Sequence, residues 1–277
     1  MVTPKQISLA GLTTLGVGGP AELWEVEDLY DLREATSAKY CVIGGGSNLL
    51  VSDEGVSERV IKLGRSFNNI KTFDGKMDLW LGAATPLPGL VRRAAELGLS
   101  GLEGLLGIPA VLGGAIAMNA GTRFGEISDT LQEVELFTNK CFERLSAKEL
   151  KMRYRYCELP KGAIITRGRF KLTPSTPEKV KTYLAKVDKA RQGQPKVKSA
   201  GCAFQNPDGD SAGRLIDAAG LKGLRVGQAM VSHEHGNFIV NLGGATARDV
   251  TVLLEKIQRQ LGILEIEWQR WGFKKAL

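Results

Sequence analysis

Three consecutive glycines at positions 44–46 constrain this chain more than any other feature of its sequence. They lie between the apolar runs 41–43 and 49–51 and are followed by Ser47 and Asn48. Glycine lacks a Cβ atom and adopts positive φ angles, so backbone N–H groups can converge there on an anion such as a phosphate. A tight turn between two strands would use glycine as well. The loop matches neither the G-x-G-x-x-G nor the P-loop pattern, and both interpretations stay open.

A second glycine-rich segment, 101–121, carries six glycines among apolar residues and a single charge, Glu103. Such a backbone can wrap closely around a large, flat, partly apolar ligand, although a buried helix or loop would have a similar composition. The two segments fall within one 80-residue region. Together they favour a nucleotide cofactor that carries both a pyrophosphate and an apolar ring.

Composition narrows the class of protein. The 277 residues are 43% hydrophobic and 24% charged, which is typical of a soluble globular protein with two or three units. The formal charge of +7 favours anionic partners, but the aromatic content of 6% is low for a surface that stacks nucleic-acid bases. We therefore expect small-molecule substrates, no nucleic acid and no membrane partner. We expect the chain to be a monomer.

The chain has four cysteines and no C-x-x-C pair among them; they are Cys41, Cys141, Cys157 and Cys202. We therefore expect no disulfide framework, and we expect the protein to work in a reducing compartment. The N-terminus shows no secretory signal pattern. The longest uncharged run, 104–122, is broken by proline, glycine and asparagine, which suits a membrane span poorly. We expect a cytoplasmic protein.

Strands and helices alternate irregularly along the chain. Strands are predicted in "KYCVIGGGSN" at 39–48, which ends in the glycine turn, in "VSERVIKLG" at 56–64, in "MDLWLGAAT" at 77–85 and in the alternating "LEIEW" at 264–268. One helix is predicted after Thr85 as its cap, with Gly98 as its end, and another after Thr176, opening a second unit. A third should start at Thr246, with Asp249 in capping-box spacing and Gly262 as terminator. Because regular βαβ alternation is absent, the fold class is predicted to be α+β.

Eight sequence blocks, in order, resemble the UDP-N-acetylenolpyruvoylglucosamine reductase family, which are flavoenzymes of bacterial cell-wall synthesis. They are "TLGVGGPA" (14–21), "VIGGGSNLLV" (42–51), "GIPAVLGGAIAMNAG" (107–121), "YRY" (154–156), "AGCAFQNP" (200–207), "SAGRLIDAAGLKG" (211–223), "HGNFIVN" (235–241) and "LEIE" (264–267). The chain is too short after Asn206 for the extra loop of the family's longer branch, so it resembles the short branch.

The resemblance implies an FAD-binding fold of the vanillyl-alcohol-oxidase type, with a smaller C-terminal α+β domain for substrate. It implies an FAD-binding region at 1–172, in two subdomains of about 1–62 and 63–172. The substrate-binding domain would be 173–277, with its last strand returning toward the flavin. The implied cofactors are FAD and, as hydride donor, NADPH. The implied product is UDP-N-acetylmuramate, a precursor of peptidoglycan.

The resemblance also assigns candidate site residues. The catalytic ones are Arg155, Cys202 and Glu267. Those expected to bind the cofactor are Gly44, Gly45, Gly46, Ser47, Asn48, Ile108, Pro109, Gly113, Gly114, Ala115, Asn119 and Gly121. Those expected to bind substrate are Tyr154, Asn206, Arg191 and Gln194.

Each catalytic assignment has a plainer alternative. Arg155 offers a fork of donors for the substrate carboxylate, although the basic run "KMRYRY" also fits a solvated surface. Glu265 lies on the same strand face as Glu267, so periodicity does not separate them and only the sequence block selects Glu267. Cys202 stands where the family usually has a serine that protonates C2. A thiol is the stronger acid and preserves a donor, while a lone cysteine between small residues is otherwise an inert core residue.

Other positions depart from the family pattern. Tyr156 and Cys157 replace the usual residues after Tyr-Arg, and "TRFGE" at 122–126 differs from the common run, so no contacts are assigned there. His233 and His235 have no evident third ligand, which favours structural hydrogen bonding over a metal.

Two other functions stay open from the residues alone. One is another FAD-dependent oxidoreductase of the same fold that acts on an alcohol or sugar. The other is a nucleotide-binding module without catalysis.

Overall fold

The structure is a computed structural model, and it describes residues 2–70, 73–262 and 264–273. Helices and strands are mixed along the chain, as the α+β prediction requires. The described strands are β1 Lys5–Ser8, β2 Pro20–Val26, β3 Tyr40–Val42, β4 Leu49–Val51, β5 Arg59–Leu63, β6 Asp78–Gly82, β7 Leu99–Ser100, β8 Gly121–Thr122, β9 Gly125–Glu126, β10 Leu131–Thr138, β11 Cys141–Ser146, β12 Ile164–Lys171, β13 Thr173–Pro174, β14 Ser199–Cys202, β15 Arg225–Val226, β16 Ala229–Val231, β17 Phe238–Asn241 and β18 Gln269–Trp271. The described α-helices are α1 Leu29–Ala35, α2 Leu87–Glu96, α3 Leu112–Ala117, α4 Pro177–Ala190, α5 Ala212–Ala218 and α6 Ala247–Leu261.

The chain divides into two compact units, each made from separate stretches of sequence. The first unit comprises Met1–Pro4, Trp24–Gly45 and Val60–Gln192. The second unit comprises Lys5–Leu23, Gly46–Arg59 and Gly193–Leu277. This division differs from the boundary expected near residue 172, and the assignment of cofactor and substrate domains stays a prediction.

The first unit is built on the antiparallel sheet β11-β10-β12-β6. Strand β10 alternates buried Val134 and Leu136 with Glu133 and Glu135, so one face of the sheet is apolar. The apolar face is covered by α2 and α3, and residues such as Leu81, Leu90 and Ile116 fill the core between them.

Helix α2 buries Leu87, Leu90, Val91 and Ala94, which form an apolar stripe on one of its faces. The predicted cap at Thr85 is wrong. The N-cap is Pro86, whose ring has no acceptor for a side-chain capping bond, and Thr85 is fully buried one residue earlier.

Helix α4 begins as predicted, with the Thr176 side chain accepting a hydrogen bond from Lys179 N. It does not open the second unit. Leu184 packs against the core of the first unit, and the Tyr183 ring meets Phe124 edge-on at 6.3 Å, so α4 belongs to the first unit.

The second unit contains the antiparallel sheet β14-β17-β16-β15 and the long helix α6. Helix α6 has the predicted capping box between Thr246 and Asp249, and it ends at Gly262 with φ +67°. The Asp53 carboxylate adds a second cap by accepting from Ala247 N at 2.7 Å and Arg248 N at 3.0 Å. This bond ties 46–59 to the C-terminal part of the same unit.

The final strand, which was expected at "LEIEW", begins after that segment. Residues 264–268 make a single bridge, Ile266 with Phe204, and the strand β18 follows at Gln269–Trp271. Strand β18 pairs in parallel with β4, which comes directly after the Gly44–Asn48 loop. The alternation of apolar and acidic residues in 264–268 does not indicate this parallel partner.

Candidate active site

A cavity of about 190 Å³ lies in the first unit and is lined mainly by apolar groups, among them Ile43, Val111 and Leu159. Gly44, Gly113 and Gly114 also line it. Among the described residues, Lys62 is its single charged lining side chain, and its Nζ atom lies 3.5 Å from Glu25 Oε1. Such a lining suits the flat, apolar ring of a cofactor.

Two of the glycines that line this cavity lie where a side chain would not fit against the neighbouring residues. A Cβ on Gly44 would lie 3.0 Å from Val111 Cγ2, and one on Gly113 would lie 2.9 Å from Ala83 Cβ. By contrast, a Cβ on Gly114 would meet no atom within 4 Å. Gly114 therefore leaves open space at its α carbon, which is the property expected of a residue that a flat ring approaches closely.

Positions 45 and 46 require glycine for a different physical reason. A Cβ on Gly45 would lie 2.8 Å from Pro109 O. Gly46 has φ +61°, and a Cβ there would overlap Leu12 O. Gly45 thus packs on Pro109 and Ala110 within the first unit, and Gly46 packs on Leu12 and Thr13 within the second unit. In both places the absence of a Cβ atom allows the close backbone packing of a tight turn. Phosphate binding by 44–48 stays a prediction.

Other predicted cofactor residues shape the 108–115 segment from within. Ile108 packs against the core of the first unit, and Ala115 is buried and donates its N–H to Val111 O at 3.0 Å. Pro109 is exposed. In the second unit Ser47 is half-buried, and the Asn48 side chain donates to Glu267 O at 3.3 Å.

Arg155 lies in a tight turn of the first unit. Arg153 N donates to Tyr156 O at 3.0 Å and Tyr156 N donates to Arg153 O at 2.9 Å, so Tyr154 and Arg155 occupy the two central positions. Arg155 has φ +53°, an unusual angle for a residue with a side chain. Its Nη2 donates to Gly121 O at 2.8 Å, and its guanidinium carbon lies 4.7 Å from the centroid of the Tyr154 ring.

In the second unit, backbone hydrogen bonds pair the residues that follow Cys202 with the segment that contains Glu267. Glu267 N donates to Ala203 O at 2.8 Å and Gln205 N donates to Glu265 O at 2.8 Å, on either side of the Phe204–Ile266 bridge. Segment 265–267 therefore runs antiparallel to 203–205, and Glu267 lies at the end of this pairing nearest Cys202. Glu265 is exposed and Glu267 is half-buried. Burial thus separates the two glutamates, which the sequence period did not.

A bulge presents the Cys202 side chain. The register of β14 against β17 shifts between Ser199 and Cys202, and Gly201 takes φ +74° within it. Bulges of this kind change the direction of a side chain and interrupt a ladder. Cys202 is left half-buried, in contrast to Cys157, whose thiol is buried in the core of the first unit.

The predicted substrate residues are divided between the units. Tyr154 is exposed, and Arg191 at the end of α4 donates from Nη2 to Gly107 O at 3.1 Å. In the second unit Asn206 is exposed, and its Oδ1 accepts from Ala212 N at 3.1 Å. Gln194 is half-buried in the same unit.

His235 has structural surroundings. His235 Nδ1 accepts from Asn237 N at 3.2 Å, and the His235 ring meets Phe238 at 4.8 Å. Burial lowers the pKa of His235, and Lys222 lowers it further. Over the part of the chain that the structure describes, no group of three or more His, Cys, Asp or Glu residues could hold a metal ion.

Comparison with known proteins decides the family. The chain is 58% identical over 267 residues to the UDP-N-acetylenolpyruvoylglucosamine reductase of Thermus thermophilus, covering 96% of this chain and 98% of the relative. It is 50% identical to the enzyme of the same name from Deinococcus radiodurans, covering 96% and 95% of the two chains. The chain belongs to the UDP-N-acetylenolpyruvoylglucosamine reductase family.

Matches to families and to solved structures agree with this assignment. Residues 194–262 match the C-terminal domain of UDP-N-acetylenolpyruvoylglucosamine reductase, and residues 15–140 match an FAD binding domain. The crystal structure of the reductase from Thermus caldophilus aligns with a TM-score of 0.94 at 57% identity, over 98% of this chain and 100% of that one.

Membership of this reductase family confirms several predictions. The fold is α+β with an FAD-binding fold of the vanillyl-alcohol-oxidase type, the cofactor is FAD, and the chain is an FAD-dependent oxidoreductase. None of the helices in the described parts of the chain is long and apolar enough to cross a bilayer.

Sequence reasoning about this reductase missed a polar cluster next to the Arg155 turn. Asn119 is fully buried, and its Nδ2 donates to Glu126 Oε1 at 2.8 Å and to Arg153 O at 3.2 Å. Glu126 lies in the run 122–126, to which no contact was assigned. The signal that could have found it is the Asn-x₆-Glu spacing across a short hairpin, which places both polar groups on one end of β8 and β9.

Proposed function

We propose that this enzyme reduces the enolpyruvyl group of UDP-N-acetylglucosamine enolpyruvate to UDP-N-acetylmuramate, with NADPH as the electron donor, in the synthesis of peptidoglycan precursors. The double bond gains one hydride at its terminal carbon and one proton at C2, while NADPH becomes NADP⁺. FAD, when bound, would supply the hydride-transfer chemistry between NADPH and the substrate. The protein must then stabilise negative charge on C2 and its carboxylate and deliver the proton.

The observation that carries this proposal is the pairing of segments 203–205 and 265–267. Glu267 pairs with Ala203, so this half-buried glutamate lies opposite the residue next to the half-buried Cys202 in the second unit. Cysteine is among the side chains that act as general acids when they are positioned at the reacting group. A purely structural cysteine would instead be packed as Cys157 is, where burial raises the pKa to about 11.

Cys202 is the proposed proton donor. Its Sγ–H bond breaks as a C–H bond forms at C2, and the thiolate regains its proton from water. A thiol with an ordinary pKa of about 8.5 is mostly protonated at neutral pH and is a stronger acid than the serine that the family usually has. Glu267 is the proposed catalytic carboxyl group beside it.

Arg155 is proposed to bind the substrate carboxylate, on which charge builds during the reaction. A guanidinium is always charged and presents its donors as a rigid fork that matches a carboxylate. Tyr154, Arg191, Gln194 and Asn206 are the further proposed substrate contacts.

The cavity of the first unit is the proposed place for part of FAD. Its apolar lining and the open space at Gly114 suit a flat ring, and Gly44–Asn48 would supply backbone N–H groups for the pyrophosphate. The formal charge of +7 accords with three polyanionic ligands, FAD, NADPH and a UDP-sugar. We propose that the chain acts as a monomer in the cytoplasm, where its four thiols, all of them free of disulfides, stay reduced.

The test compares Cys202→Ala with Cys202→Ser in rapid-mixing absorbance at the flavin band. We expect Cys202→Ala to keep NADPH-dependent flavin bleaching and to slow reoxidation by the enolpyruvyl sugar nucleotide by about 10²- to 10⁴-fold, the usual contribution of a general acid. Cys202→Ser should retain much of the activity, because a hydroxyl is still a donor. Fast reoxidation in Cys202→Ala would rule out the role of Cys202 as proton donor.

A further inference from the structure

The turn that carries Arg155 is held by a hairpin of the same unit. Strands β8 and β9 form this hairpin, and Gly121 pairs with Glu126 across it. Gly121 O accepts the hydrogen bond from Arg155 Nη2 at 2.8 Å. Asn119, two residues before Gly121, donates to Arg153 O at the base of the turn at 3.2 Å. The hairpin thus contacts both the turn's backbone and the guanidinium itself.

The side chain of Asn119 has one possible orientation. Its Oδ1 accepts from Ser128 N at 3.0 Å, and its Nδ2 donates to Arg153 O and to Glu126 Oε1 at 2.8 Å. A backbone N–H only donates and a backbone carbonyl only accepts, so exchanging the amide's oxygen and nitrogen would break these bonds. Both amide hydrogens are used within the protein.

Glu126 fixes this arrangement. Its Oε1 also accepts from Ser128 Oγ at 2.7 Å, and its backbone N–H donates to Asp129 Oδ2 at 2.8 Å in a capping box. Asn119 itself has φ +40° and is fully buried. A buried polar group in an unusual backbone conformation is retained only where its surroundings determine it, and such groups are frequent beside functional sites.

Arg155 needs such support. Its side chain has several rotatable bonds, and its own φ of +53° is unfavourable. A guanidinium displaced by about 1 Å can cost on the order of 10²-fold in rate. The bond to Gly121 O fixes the head of the side chain, and the bond from Asn119 fixes the backbone at its base.

We propose that Asn119, oriented by Glu126, is a positioning residue that aims the Arg155 guanidinium at the substrate carboxylate. This inference rests on the proposed function, in which Arg155 binds that carboxylate. It assigns the Asn119 side chain to the substrate half of the reaction, whereas the sequence had assigned this residue to the cofactor.

The main test variant is Asn119→Asp, which keeps the size of the side chain and tolerates the left-handed backbone. It replaces both donors by oxygens that face Arg153 O and the Glu126 carboxylate. We expect flavin reoxidation by the enolpyruvyl substrate to slow by about 30- to 100-fold, while flavin reduction by NADPH stays within about twofold of the wild type. Equal losses in both half-reactions would overturn the proposal, because a general structural defect does not choose between them.

Two Glu126 variants give a graded series if Asn119→Asp folds poorly. Glu126→Gln retains an oxygen that can accept from Asn119 Nδ2 and Ser128 Oγ, so reoxidation should stay within about threefold of the wild type. Glu126→Ala removes that acceptor and should slow reoxidation by about tenfold. If Glu126→Ala reoxidises as fast as Glu126→Gln, the orienting role of Glu126 is wrong.

Thr122→Val is the matched control within the same hairpin. Thr122 Oγ1 donates to Gly104 O at 2.8 Å and accepts from Phe124 N at 3.2 Å, and neither bond reaches the Arg155 turn. We expect the melting temperature of Thr122→Val to fall, as that of Asn119→Asp should. Both half-reactions of Thr122→Val should keep the wild-type rates.

Arg155→Ala separates this inference from the proposed function. In the Arg155→Ala background, adding Asn119→Asp should slow reoxidation no further, because there is no guanidinium left to aim. If Arg155→Ala alone reoxidises normally, the proposed role of Arg155 fails. If Arg155→Ala is slow but Asn119→Asp is not, or if the two effects add in full, only the positioning role fails.

Discussion

The turn at 153–156 and the bulge at 199–202 present two of the candidate catalytic side chains, and they accommodate unusual backbone in opposite ways. In the turn, Arg155 itself adopts φ +53°. In the bulge, Gly201 adopts φ +74°, and Cys202 is presented by the residue beside it. A left-handed conformation costs a residue with a Cβ roughly 1–2 kcal/mol, and it costs glycine almost nothing.

The difference shows where each site depends on its surroundings. The bulge needs only a glycine in the sequence, since a Cβ on Gly201 would meet no atom within 4 Å and only the φ angle requires that residue. The turn cannot use glycine at position 155 and keep a guanidinium. It therefore needs bonds from elsewhere, such as those from Asn119 and to Gly121 O.

The largest expected effect breaks the turn's side of this comparison. Arg155→Ala and Arg155→Gly should both slow turnover of the enolpyruvyl substrate by about 10²- to 10³-fold, the usual loss for one oxyanion donor. Arg155→Gly should nevertheless be more stable than Arg155→Ala by about 1 kcal/mol, because glycine adopts the turn's φ without strain. Urea denaturation of both variants measures the difference. Equal stability would show that the left-handed angle costs nothing here.

A smaller effect tests the bulge. Gly201→Ala should lower the free energy of unfolding by roughly 1–2 kcal/mol through its φ angle and, by moving Cys202, slow flavin reoxidation by about tenfold. Gly220→Ala is the matched control. Gly220 has φ +69° and similarly open space, but it lies at the end of α5, away from Cys202 in sequence. The control should lose similar stability and keep its reoxidation rate. If both variants reoxidise equally fast, the bulge does not position the thiol.

The smallest effect concerns the cysteine that follows the turn. Burial raises the pKa of Cys157 from its ordinary 9.0 to about 11. Between pH 9 and 11 the thiol of Cys157 loses its proton in the unfolded protein and keeps it in the folded protein. The free energy of unfolding therefore falls as pH rises through that window. From pH 8 to pH 10.5, the melting temperature of Cys157→Ala should fall less than that of the wild type. An identical fall in both proteins would contradict the burial of this thiol.

The sequence anticipated the elements whose signals are local. The cap of α4 at Thr176 and the capping box and glycine stop of α6 were predictable because their partners lie within four residues in the chain. The family blocks identified the FAD-binding fold, because those blocks are long and specific. They also supplied Arg155, Cys202 and Glu267 as candidates, and their catalytic roles remain proposals.

Local patterns were misleading where a distant segment decided the outcome. Thr85 had the residue type of a cap but is buried before α2 begins. The alternation in "LEIEW" indicated a strand, yet regular pairing starts only at Gln269, where β4 is available as a partner. Helix α4 was predicted at the right place, with its cap at Thr176, but only packing assigned that helix to the first unit.

Sequence alone therefore determined which residue types are available and which short segments are regular, since hydrogen bonds between near neighbours and backbone preferences act locally. Tertiary structure decided which glycines line the cavity and which pack on backbone, which of two glutamates is half-buried, and what holds the Arg155 turn. Those outcomes depend on contacts between residues far apart in the chain, such as Asn48 and Glu267, which are separated by 219 positions. No local pattern encodes the distance between such residues, because that distance exists only once the whole unit has folded.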